Sequence, residues 1–209
     1  MATALTYTIS GTKGENTILP KSIFGIKADP ALLAQAVKVY LSNQRSAKAK
    51  VKTRGEIDRT NHKIYKQKGT GGARHGSRAA NVFVGGGVIF GPTGGQNYKL
   101  DLPTKMKRKA LLGAISQKAE DKEVVVVTNA SKSIGKTKQS SELFSKVGLK
   151  GSVLLITSIS QSEFKRSCRN LPKTEICQAG NLNAYTIIKH KNILITPEAI
   201  EEMEKLYVK

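Results

Sequence analysis

The 209-residue sequence contains no tryptophan, only two cysteines and three histidines, and just 15 acidic side chains. Each shortage excludes something. Cys168 and Cys177 are too few for a disulfide framework or a four-cysteine zinc site, and they suit a reducing compartment. His62, His75 and His190 show no metal-ligand spacing, so no metal is expected. The sparse acids include no pair marked out for general acid–base work, and the chain is read as a non-enzyme without a cofactor. No apolar run approaches the ~18 to 20 residues of a membrane span. The opening MATALTYTISGTKGE lacks the charged and apolar regions of a secretory leader, so a cytoplasmic location is expected.

What the chain has in excess is positive charge. Its 35 Lys and Arg give a formal net charge of +20, which makes nucleic acid the first partner to consider, ahead of an anionic membrane. The charge is concentrated. Between Arg45 and Arg78 lie Arg45, Lys48, Lys50, Lys52, Arg54, Arg59, Lys63, Lys66, Lys68, Arg74 and Arg78, opposed only by Glu56 and Asp58, a net +9 in 34 residues. Val51, Ile57, Ile64 and Tyr65 are its only large apolar residues, too few to offset the entropy of ordering it. The run continues into a glycine-rich stretch from Gly69 to Gly95 that includes Gly85, Gly86 and Gly87. From Tyr65 to Arg78, cations can meet phosphates and glycines let the backbone come close to RNA. Gln67, Thr70, His75 and Ser77 can hydrogen-bond to bases or 2′-hydroxyls, and Tyr65 or an arginine plane can stack on an unpaired base. Such a segment can stay unfolded alone and order on RNA.

The flanks read as an α/β protein. Asp29-Pro30 opens a helix to about Arg45, with Leu33, Val37, Tyr40 and Leu41 facing a core. Pro103-Thr104 opens a second, whose first turns carry Lys105, Lys107, Arg108 and Lys109. Cations there oppose the helix dipole, so they either face RNA or form a solvated helix end. Glu123–Val127 and Ser152–Thr157 are continuous apolar runs typical of parallel strands buried on both faces. A helix from Thr137 to Gly148 lies between them. A capping box at Ser160 and Glu163 starts a helix to Asn170. A strand near Glu175–Cys177, a helix near Asn181–Lys189, the strand Asn192–Thr196 and a final helix bearing Ile200, Met203 and Leu206 follow. The spacing predicts one open, mainly parallel sheet with flanking helices, residues 1–45 and 103–209, interrupted by an extended basic loop over residues 46–102.

Ala130 to Thr137, ending Gly135-Lys136-Thr137, fits a loosened phosphate-loop pattern with alanine in place of the first glycine. No apolar strand ends in the aspartate that such a site uses for Mg²⁺. The segment is read as a strand-to-helix turn, with no nucleotide as partner.

The run QKGTGGARHGS from Gln67 to Ser77, then Phe83 and GGGVIFGP from Gly85 to Pro92, closely resembles the signature loop of the bacterial-type uL-four family of large-subunit ribosomal proteins. The similarity extends through LPTKMKRKALLGAISQKA at Leu102–Ala119, Val124–Val127, Lys136–Lys138, Arg169–Lys173, Asn181–Thr196 and Glu198–Leu206. The resemblance implies a structural constituent of the large subunit that binds 23S-type rRNA, contacts other large-subunit proteins and acts early in assembly. It implies a loop that threads inward to line the exit tunnel beside the nascent peptide, with Gln67, Lys68, Gly69, Thr70 and Gly71 at its tip. Lys68 would take the tunnel-facing position associated with macrolide sensitivity. About 26 residues each way could span at most roughly 85 Å. In some members the family also represses its own operon through messenger RNA. This chain departs from the common pattern at Tyr65-Lys66, where members carry Trp-Arg, at Gly72, where they carry Arg, and at Ser77–Asn81. Lys66 lacks the planar fork of an arginine.

Overall fold

The computed structural model describes residues 2–130, 135–149 and 151–208. It divides into two units, Met1–Leu41 with Asp101–Lys209, and Ser42–Leu100.

The first unit is built on a six-stranded sheet. Its strands are β1 (Thr3–Thr8), β2 (Thr17–Ile18), β3 (Val124–Thr128), β4 (Val153–Thr157), β5 (Thr174–Gln178) and β6 (Asn192–Ile195). The order is β2-β1-β3-β6-β4-β5; only β2 is antiparallel to its neighbour. Helices α1 (Lys21–Phe24), α2 (Pro30–Gln44), α3 (Thr104–Glu120), α4 (Thr137–Val147), α5 (Ser162–Cys168), α6 (Ala184–Lys189) and α7 (Pro197–Tyr207) connect or flank these strands. Alternate residues of the central strands feed two cores. Val124, Val126, Ile193 and Ile195 pack with Ile115 of α3, Ile187 of α6 and Met203 of α7. Val125, Val127 and Leu194 pack with Leu143 of α4 and Phe164 of α5. Burial on both faces is why these strands carry apolar residues at consecutive positions.

Local signals set several boundaries. Asp29 Oδ1 accepts from the Ala31 amide at 3.0 Å at the start of α2. Gly148 closes α4 in the left-handed region at φ +73°. In α3, Gly113 lets the chain at Ala28 pass close by: a Cβ there would lie 2.0 Å from Ala28 Cβ.

Several expectations are corrected. β1, β2 and α1 carry no sequence expectation, yet β1 lies beside β3 near the middle of the sheet. No residue of α2 is fully buried; Leu33 packs on the core, Val37 and Tyr40 are half-buried, and Leu41 is exposed. Tyr40 instead stacks on Tyr185 with ring centroids 4.7 Å apart. The capping box does not form. Gln161 caps α5, and its side chain is drawn away to Thr196 and Glu198 at 2.9 and 2.6 Å. On α7, Ile200 and Met203 are buried while Leu206 is 44% exposed. Cys168 is buried and Cys177 only partly so. Burial pushes both thiols up, so neither is a poised nucleophile. Half of the phosphate-loop segment, residues 131–134, lies outside the described residues.

Candidate nucleic-acid interface

Residues 45–100 contain no helix or strand, and their shape comes from turns and two short pairings. The outgoing and returning legs meet at an isolated antiparallel bridge between Lys50 and Thr93. Val51 donates its amide to Pro92 O at 3.0 Å, and Val88 donates to Lys52 O at 3.1 Å. Where the legs touch, glycine is required. A Cβ on Gly87 would sit 2.2 Å from the Arg54 nitrogen, and one on Gly91 would sit 2.1 Å from Val51 Cγ2. The glycine triplet also shapes the turn within the returning leg: a Cβ on Gly86 would meet Ala80 O at 2.0 Å.

A second pairing frames the tip. Lys63 bridges Ser77, and Ile64 donates its amide to Gly76 O at 3.1 Å. The Lys63 ammonium reaches Gln67 Oε1 at 2.7 Å and His75 O at 3.2 Å. The Tyr65 hydroxyl donates to Ala73 O, and its ring meets the His75 edge at 6.1 Å. These contacts hold a loop, residues 66–74, in which every residue is exposed. It contains Gln67, Lys68, Gly69, Thr70 and Gly71, with Gly69 and Gly71 at φ +82° and +64° and open space around both.

Electrostatically this unit is almost wholly cationic. All eleven basic residues from Arg45 to Arg78 are exposed. Among the described residues only Lys50 meets a carboxylate, Glu56 at 3.1 Å. The Thr53 amide and the Lys50 ammonium hold the Glu56 carboxyl below the usual carboxylate range. Arg45 lies over the Tyr98 ring at 4.0 Å, and Arg59 donates to Val84 O at 3.2 Å. Neither contact removes charge, so both guanidiniums remain available to an anion. In the other unit, Lys105, Lys107 and Arg108 are exposed on the first turns of α3, where Lys107 pairs with Asp101 at 2.6 Å and pulls that carboxyl down.

Some surface chemistry was not singled out from the sequence. Thr60, Phe83 and Val84 join the expected Arg59 and Arg78 in lining an open cleft of about 530 Å³. Val82, Val84, Val88, Ile89 and Phe90 are exposed. The signal was present: FVGGGVIF is the most apolar run of a segment otherwise rich in lysine, arginine and glycine.

The fold and this segment define the class: an α/β protein carrying a cationic, glycine-turned insertion between two helices. No cluster of His, Cys, Asp or Glu among the described residues could hold a metal, and no helix among them is long and apolar enough to cross a membrane. The model of the Ribosomal protein L4/L1 family matches residues 17–206. The chain is 35% identical over 195 residues to the large ribosomal subunit protein uL4 of Hyphomonas neptunium, covering 93% of this chain and 91% of that one. It is 34% identical over 197 residues to uL4 of Phenylobacterium zucineum, covering 94% and 92%. With uL4 of Caulobacter vibrioides it shares 36% over 194 residues, covering 92% and 91%. The chain belongs to the ribosomal protein L4/L1 family, in its bacterial form. It is thus a structural ribosomal protein, not an enzyme, and a component of the cytoplasmic ribosome.

Proposed function

We propose that this chain is a structural constituent of the large ribosomal subunit that binds large-subunit rRNA through residues 46–102 and takes part in early subunit assembly. The observation that carries the reading is the exposure of all eleven cations of one segment, with a single carboxylate partner. Unpaired cations this dense repel one another, and a polyanion relieves that repulsion while releasing its own counterions. The glycine-turned tip, Gln67 to Gly71, extends into the exit tunnel, where Lys68 faces the nascent peptide. Lys105, Lys107 and Arg108 add phosphate contacts from the α/β unit, whose neighbours are other large-subunit proteins.

The test is a deletion of residues 46–98 in the full chain, measured against in-vitro-transcribed bacterial large-subunit rRNA over a range of salt. Affinity and the steepness of its salt dependence both fall. Unchanged affinity and slope would show that the RNA contacts lie elsewhere.

A further inference from the structure

The apolar strip on the returning leg is largely exposed. Val84 and Phe90 are fully exposed, and Val82 is 82% exposed. Phe90 is also the one residue of its unit besides glycine in the left-handed region, at φ +55°. A bulky side chain avoids that region, and such a conformation persists only where the surroundings impose it. Here they do. Val88 is tied to Lys52 and Pro92 to Val51 by backbone hydrogen bonds, and Gly91 is seated against the Val51 side chain. The backbone on both sides of Phe90 is anchored, and the ring between is turned outward.

The anchoring leg is cationic: Lys50, Lys52 and Arg54 flank the contacts that hold residues 87–93. Across residues 42–100 there are twelve basic residues and only Glu56 and Asp58 as acids. An exposed aromatic face set among cations matches RNA, which presents stackable bases and phosphates together. An apolar protein surface would leave those cations unanswered. We infer that Phe90 is a stacking platform for an unpaired base of the large-subunit rRNA, held ready by the pairing of the two legs. The inference rests on the RNA-binding reading of this segment and adds to it a base-contacting residue that carries no charge.

The chain lacks tryptophan, so F90W introduces a single indole reporter. In the full-length protein titrated with in-vitro-transcribed large-subunit rRNA, F90W binds close to wild type and its emission is quenched. F90A and F90G lose roughly 5- to 150-fold in affinity, the worth of one base–aromatic stack. Their log–log salt slope stays at the wild-type value, because no phosphate contact is removed. A role in backbone shape alone predicts the opposite for F90G, which eases the strained φ and would bind at least as well as wild type. Wild-type affinity for both truncations, with unquenched F90W, overturns the stacking role while a steep salt slope leaves the RNA-binding reading standing. In reassembled large subunits, blue-shifted and unquenched F90W emission would mean a protein covers the ring, and would also overturn it. Failure of the wild-type protein itself to bind rRNA would instead overturn the underlying reading.

Discussion

Gly87 offers the sharpest test of how the basic segment is shaped. The substitution Gly87→Ala places a methyl group 2.2 Å from the Arg54 nitrogen and 2.5 Å from its Cα. These are backbone atoms, which cannot swing aside as a side chain would, so the legs must part by about 1 Å to reach ordinary contact. Two hydrogen bonds cross between the legs beside the contact, Val88 amide to Lys52 O at 3.1 Å and Val51 amide to Pro92 O at 3.0 Å. Losing both removes about 1 to 3 kcal/mol of support for the paired legs, at about 0.5 to 1.5 kcal/mol each. If rRNA binds the paired form, affinity falls by the same free energy, roughly 5- to 150-fold. Filter binding of Gly87→Ala at fixed salt measures this, with Gly95→Ala as control, because nothing lies within 4 Å of that position. Equal affinity for the two variants would refute the claim that leg pairing pre-shapes the interface.

Three further outcomes follow from the structure. Replacing Arg54, Arg59 and Arg78 together by glutamine lowers the log–log salt slope of rRNA binding by about 2 to 3, provided each guanidinium meets one phosphate; an unchanged slope places them off the RNA. Lys50→Met raises the Glu56 pKa only part of the way to the ordinary carboxylate value, because the hydrogen bond from the Thr53 amide, the largest single cause of the lowering, remains. NMR titration of the Glu56 carboxyl reads this directly. Its folded-state pKa is depressed, so the contact stabilises the fold above the unfolded-state value, and the contribution disappears as pH falls through the folded-state one. Gly113→Ala drives a Cβ to 2.0 Å from Ala28 Cβ and destabilises the α/β unit by about 1 to 3 kcal/mol. Thermal unfolding followed by circular dichroism detects that as a lowered midpoint.

How far the structure could be read from residues alone depended on where the information lay. β3, β4 and β6 were legible because burial on both faces gives each a run of consecutive apolar residues. β1 was not, because its inward positions include Thr6, which is buried and shares a 2.7 Å hydrogen bond with the Thr17 hydroxyl. A satisfied threonine in a strand looks like a polar residue in a loop. The apparent box at Ser160 and Glu163 misled for a related reason, since Gln161 is held by Thr196 and Glu198, more than thirty positions away. In the basic segment the cations could be counted from the sequence. The pairings Lys50–Thr93 and Lys63–Ser77 join positions 43 and 14 apart, with no apolar period to announce them. Phe90 stood in the signature run, but its outward, left-handed placement is a product of those pairings and could not be seen without them.

The proposal that this chain is built into the large ribosomal subunit through rRNA contacts of its basic segment is best tested by sedimenting ribosomes that carry the tagged full-length protein, washed at high salt. The protein should remain with the large subunit, while the form lacking residues 46–98 is depleted from it. Release of the full-length protein into the supernatant, or equal retention of the two forms, would show that these contacts do not hold it in the subunit.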